Sequence, residues 1–203
     1  VMISAARRAL FVGLLLLPLS PSSWANTLLL LGDSLSAAYN IPVSSSWPEL
    51  LREKLPPHWE LVNASVSGET TGGGVQRLPA LLKEHEPSLV VLELGGNDGL
   101  RGYPLTRIRQ NLQQLIKLST EADAQVMLIG MQIPPNYGQR YAQGFADLFP
   151  ALAEKFDLPL VSFLLEGIAL QPGLMQSDGI HPTAAAQSRI LDNVLPTLEP
   201  MLD

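Results

Sequence analysis

Thr27-Leu28-Leu29-Leu30-Leu31-Gly32-Asp33-Ser34-Leu35-Ser36 is the stretch that decides how this 203-residue chain is read. Residues 27–31 form an uninterrupted apolar run, the pattern of a strand covered on both faces rather than one with a wet side. The run stops at Gly32, which permits a tight turn, and Ser34 follows at the strand's carboxyl end. Outward from there, short β-like runs alternate with longer helical patterns. Residues 60–66, 88–94 (SLVVLEL), 125–131 (QVMLIGM) and 160–163 read as further strands. Between them, Ser46-Trp47-Pro48-Glu49 reads as a capping box opening a helix to about residue 55. Residues 75–84 read as a second helix, with Pro79 implying a kink or a late start. Leu105, Ile108, Leu112, Leu115, Ile116 and Leu118 make the apolar stripe of an amphipathic helix over 104–119. Residues 141–156 and 183–198 complete the set. Strands joined by helices of this length give a parallel sheet with helices on both faces, an α/β three-layer sandwich with five strands. No linker, repeat or low-complexity tract divides it, so one domain is expected.

Composition narrows the partners. The chain is 46% hydrophobic and 16% charged, ordinary for a globular domain with a real core. Its formal net charge of -6 repels phosphate backbones, so nucleic acid is a poor partner. There is no cysteine, which excludes thiol catalysis, disulfide staples and cysteine-ligated zinc. Arg7 and Arg8 precede a short apolar stretch over 9–19, and Ser23-Trp24-Ala25 supplies small residues for cleavage. That is the layout of a secretory signal peptide over residues 1–25, with the mature domain over 26–203. The stretch falls short of the roughly 20 apolar residues a membrane span needs. Export to the periplasm as a soluble monomer, with no stable membrane anchor after cleavage, is the expectation.

Ligands of a doubly wound sheet bind beyond the carboxyl ends of its strands. Four such loops carry useful groups. Ser34 follows the first strand and Gly68 the second, in Ser67-Gly68-Glu69-Thr70. Asn97 follows the third in Gly95-Gly96-Asn97-Asp98, and Asp178 and His181 lie in Ser177-Asp178-Gly179-Ile180-His181-Pro182 before the last helix. A serine hydroxyl needs a base to become a nucleophile, and His181 is the one well-placed histidine. An imidazole needs a carboxylate to fix its tautomer and offset its charge, which Asp178 supplies across a turn at Gly179. An oxyanion needs preplaced donors, for which the N–H groups of Ser34 and Gly68 and the side-chain amide of Asn97 are candidates. Asp33 reads as structural, bonding loop N–H groups behind the nucleophile. His58 and His85 read as solvated surface residues. Leu100, Ile133 and Pro134, at strand ends, are candidates to line a groove for an acyl chain.

The order GDSLS, the Gly68 block, GGND and DGIHP resembles the four blocks of the SGNH (GDSL) hydrolase family, from about Thr27 to the last helix. NASVSGETTGGG and LELGGNDGLRG are similar, more closely, to the periplasmic multifunctional thioesterase/protease/lysophospholipase subgroup, also described as arylesterases. The resemblance implies the flavodoxin-like SGNH-hydrolase architecture, a serine mechanism without cofactor or metal, and acyl ester, acyl thioester or lysophospholipid substrates. It also implies that the segment over 99–104 is a mobile loop closing on the acyl chain. Three rival readings stand beside it. A metal-dependent phosphoesterase would use Asp33, Asn97, Asp98 and His181 as ligands, but three histidines in the chain leave a two-metal site short. A non-catalytic lipid or peptide binder would leave base and nucleophile unexplained. A carbohydrate O-deacetylase would use the same machinery on an open polar surface.

Overall fold

Each apolar run becomes a strand of a single sheet, and every strand pair is parallel. The structure, a computed structural model, describes residues 25–203, so the expected signal peptide lies, but for Ala25, outside the described residues. The strands are β1 (Asn26–Gly32), β2 (Trp59–Asn63), β3 (Leu89–Glu93), β4 (Gln125–Ile129) and β5 (Leu160–Val161). The helices are α1 (Trp47–Arg52), α2 (Thr71–His85), α3 (Gly96–Leu100), α4 (Leu105–Glu121), α5 (Gln139–Ala146), α6 (Leu148–Phe156) and α7 (Gln187–Leu198). Strand order is β2-β1-β3-β4-β5. The chain steps one way from β1 to β2 and then crosses to the other side for β3, which places a topological switch beside β1.

Helix packing defines the outer layers. α1 packs on α7, while α2 packs on α4 and α4 on α6, so the sheet is covered on both sides. This is why β1 and β3 carry no polar alternation: Leu28 to Leu31 and Leu89 to Leu92 are all buried. The expected three-layer sandwich is the fold observed.

Four local expectations change. Ser46 does not cap α1; its hydroxyl donates to the Val43 carbonyl, 2.7 Å away, and the first helical N–H, on Trp47, is taken by Gln187 Oε1 of α7 at 3.0 Å. α2 starts earlier than residue 75, because the Thr70 hydroxyl caps it by accepting from Gly73 N–H at 3.1 Å. Its glycine run is used for packing, since a Cβ on Gly74 would meet Leu94 Cδ1 at 2.6 Å. Pro79 sits inside α2, forgoing one helical bond. The helix expected over 141–156 is two, α5 and α6, meeting at Asp147. Pro150, in the first turn of α6, has no N–H to continue the α5 ladder. The final helix opens with a 3-10 turn, Ala184–Ala186, and becomes α-helical at Gln187.

Gly130, just past β4, lets this strand approach the segment after β5. Its N–H donates to the Val161 carbonyl at 2.7 Å, and a Cβ there would lie 2.2 Å from the Ser162 carbonyl oxygen. Backbone cannot yield as a side chain can. Gly130→Ala is therefore expected to destabilise the fold by about 1–3 kcal/mol, seen as a Tm several degrees lower in calorimetry; an unchanged Tm would contradict this close approach.

Candidate active site

All four expected loops leave the same edge of the sheet, and hydrogen bonds join them to one another. Ser34 lies in the turn after β1, where the Asp33 carbonyl accepts from Ala37 N–H at 3.0 Å. Its Oγ is 2.9 Å from His181 Nε2, a contact that spans 147 residues of chain. His181 Nδ1 is 2.7 Å from Asp178 Oδ2. The other oxygen, Asp178 Oδ1, accepts from the N–H groups of Ile180 at 2.9 Å and His181 at 3.0 Å. Gly179, at φ 67, makes that tight carboxylate turn possible. Desolvation raises the Asp178 carboxyl, but the His181 N–H, the imidazole and the Ile180 N–H outweigh it and lower its pKa to about 2. Asp178 is therefore ionised throughout the neutral range, with its charge against the imidazole's far nitrogen.

The remaining expected groups converge on the same place. Gly68, at φ 79, turns the chain after β2, and its carbonyl accepts from Arg101 Nη2 at 3.1 Å. Among the described residues, neither the Ser34 nor the Gly68 N–H donates to a protein acceptor. Asn97 opens α3, and both hydrogens of its amide are engaged: Nδ2 donates to Asp33 Oδ2 at 3.0 Å and to the Glu69 carbonyl at 2.9 Å. Serving an oxyanion would require Asn97 to share or exchange one of these partners. Asp33 has the structural place expected of it, accepting from Leu35 N–H at 3.0 Å through Oδ1. His58 precedes β2 and His85 ends α2, so both lie towards the opposite, amino edge of the sheet.

A groove of about 690 Å³ runs from Ser34 and His181, and Leu100, Ile133 and Pro134 all line it. The sequence reading missed its other wall, built by residues 163–171 between β5 and α7. That stretch has no strand or helix periodicity to draw attention. Among the described residues, no three acidic or histidine side chains are grouped to hold a metal ion.

Glu93 was also missed. It is fully buried at the end of β3, paired in register with Gly32. Its Oε2 accepts from Asp33 N–H at 3.1 Å and Ser36 Oγ at 2.6 Å, pinning the loop that carries Ser34. Gly32 is thus glycine for clearance rather than for its turn: a Cβ there would stand 2.5 Å from Glu93 Oε2. The one detectable signal was a lone acid inside the otherwise apolar SLVVLEL.

Residues 30–189 match the GDSL-like Lipase/Acylhydrolase family. The chain belongs to it. Esterase TesA of Pseudomonas aeruginosa is 48% identical over 192 residues, covering 93% of this chain and 96% of the relative. Thioesterase 1/protease 1/lysophospholipase L1 of Escherichia coli K12 is 46% identical over 179 residues, covering 88% of this chain and 86% of the relative. Among solved structures, TesA superposes with a TM-score of 0.84 at 49% identity, covering 87% of this chain and 99% of that one. The psychrotrophic esterase EstA from Pseudoalteromonas, inhibited by monoethylphosphonate, gives 0.82 at 43% identity, with 87% and 98% covered.

The acidic pair behind Ser34 sets a pH dependence. Desolvation, opposed by the Leu35 N–H, the nearby imidazole and the Asn97 amide, pushes Asp33 up to about 6. Glu93 is raised well above the ordinary glutamate range, by burial first and by the charge of Asp33 second. From about pH 4 upward the unfolded chain releases protons that the folded pair still holds, so stability falls as pH rises through this window. In Glu93→Gln the drop in Tm between about pH 5 and pH 8 should shrink; a drop as large as the parent's would mean the pair is not its source.

Proposed function

We propose that this protein is a serine hydrolase of carboxylic esters and thioesters that works through an acyl-serine intermediate. The observation that carries the reading is the unbroken hydrogen-bond path from Asp178 through His181 to Ser34, opening into an apolar groove. His181 takes the Ser34 proton as Oγ attacks the acyl carbon, and Asp178 offsets the imidazolium. The oxyanion forms against the N–H groups of Ser34 and Gly68, with the Asn97 amide as the third donor. His181 then protonates the leaving alcohol or thiol, and water repeats the attack on the acyl-enzyme. Leu100, Ile133 and Pro134 hold the acyl chain. An apolar groove favours such chains over sugars, which counts against the O-deacetylase reading.

The names of the relatives, to which an arylesterase of Vibrio mimicus at 46% identity adds, support a substrate range of aryl esters, acyl thioesters and lysophospholipids. Residues 1–25 support export to the periplasm. Among the described residues, no helix is long and apolar enough to cross a membrane.

Ser34→Ala and His181→Ala should each abolish turnover of p-nitrophenyl esters, and near-parental rates in either would overturn the assignment. Asp178→Asn should lose much of the activity, because the imidazole loses its charge partner. Asn97→Ala should lower kcat by about 10²–10³ with little change in KM, as expected for a donor used in the transition state; a raised KM at constant kcat would make Asn97 a ground-state binder.

A further inference from the structure

Tyr39 makes no part of the path described so far, yet its ring lies against the imidazole of His181. The two centroids are 4.1 Å apart and the planes differ by 30°. The backbone that holds it there is unusual. Ala38 at φ 57 and Asn40 at φ 55, the residues on either side, both occupy the left-handed region. Residues with a Cβ seldom enter it, and two around a single side chain persist only where the surroundings over-determine them. The surroundings are visible. Gln176 Nε2 donates to the Tyr39 carbonyl and to the Pro182 carbonyl, each at 3.0 Å. Gln176 N–H donates to the His181 carbonyl at 2.8 Å, and Met175 bridges Pro182. One glutamine thus ties the loop bearing the phenol to the loop bearing the imidazole.

The geometry points to Tyr39 as a positioning residue for the base: its π face fixes the plane of the His181 ring and favours the imidazolium that forms when Ser34 surrenders its proton. This rests on the proposed roles of Ser34 and His181. An aromatic face carries partial negative charge, so it attracts a cation stacked on it more than a neutral ring. The attraction grows as the proton transfers, which makes it a term in kcat and not in substrate binding. Tyr39 touches the groove only through His181, so its effect is expected in kcat and not in KM. The phenol hydroxyl has no part in this account; the ring does.

The test compares Tyr39→Phe, Tyr39→Leu, Gln176→Leu and Ser34→Ala in the full chain, with kcat and KM for one p-nitrophenyl ester and Tm for each. Tyr39→Phe keeps the π face and should retain kcat. Tyr39→Leu keeps apolar bulk but no π face, and kcat should fall on the order of tenfold at constant KM. Gln176→Leu leaves both rings intact and loosens only their tie, so kcat should fall by less, again at constant KM; this arm stands however the leucine variant folds. A parental kcat in both leucine variants, a phenylalanine variant as slow as Tyr39→Leu, or a loss expressed in KM would each overturn the proposal. An inert Ser34→Ala beside an unimpaired Tyr39→Leu removes only the role of Tyr39. An active Ser34→Ala removes the reading of the site itself.

Discussion

The hydrogen bond between Ser34 Oγ and His181 Nε2 joins the first strand's end to the last loop, and most of the architecture serves to keep those atoms 2.9 Å apart. Neither residue is close to the other in sequence, and neither lies in a regular element. What brings them together is the parallel sheet. Strands of one direction deliver their outgoing loops to one edge, and the reversal of strand order beside β1 opens a crevice there. α7 then returns along the face that α1 covers, carrying the His181 loop in front of it. Gln187, at the start of α7, accepts the first N–H of α1, so the helix that follows the Ser34 loop and the helix that follows the His181 loop are also bonded to each other.

Behind Ser34 the molecule accepts an electrostatic cost. Two carboxyl groups, Asp33 and Glu93, are buried side by side, and burial disfavours the charge of both. Their use is geometric. Glu93 grips the Asp33 N–H and the Ser36 hydroxyl, Asp33 grips the Leu35 N–H and the Asn97 amide, and so the loops after β1 and β3 become one unit. A third buried carboxyl group extends the frame. Asp98 accepts from both the N–H and the hydroxyl of Thr71, fastening the third loop to the start of α2. These are rigid supports for a site whose atoms come from loops, which are otherwise the softest parts of a fold.

How much of this could be read from the chain depended on whether the cause was local. Strand identity was legible because burial on both faces leaves an apolar run with no competing pattern, as in residues 27–31. The Ser34, Asp178 and His181 constellation was legible because each sits at a strand or helix end and their order is specific to the family. Element boundaries were less so: the Ser46 hydroxyl turns back to the Val43 carbonyl, and the first N–H of α1, on Trp47, donates to Gln187, 140 residues along the chain. No window around Trp47 contains that partner. Pro150 was a local signal that the reading passed over. Glu93, Tyr39 and the wall over 163–171 owe their places to tertiary contacts, and only Glu93 left a trace, as an acid where a buried strand should have none.

The groove's far wall and the hydrogen-bond path from Asp178 to Ser34 are carried by different stretches of chain. Residues 163–171 line the cavity, yet none of them contributes a side chain to the bonds that link Asp178, His181 and Ser34. Leu170 within that stretch is 96% exposed, so its side chain supports nothing beneath it. Leu164, Leu165 and Ile168 of the same stretch belong to the core, so freedom to vary is confined to its exposed positions. There the wall can be recut to suit a bulkier or slimmer tail without disturbing the bonds that join Asp178, His181 and Ser34.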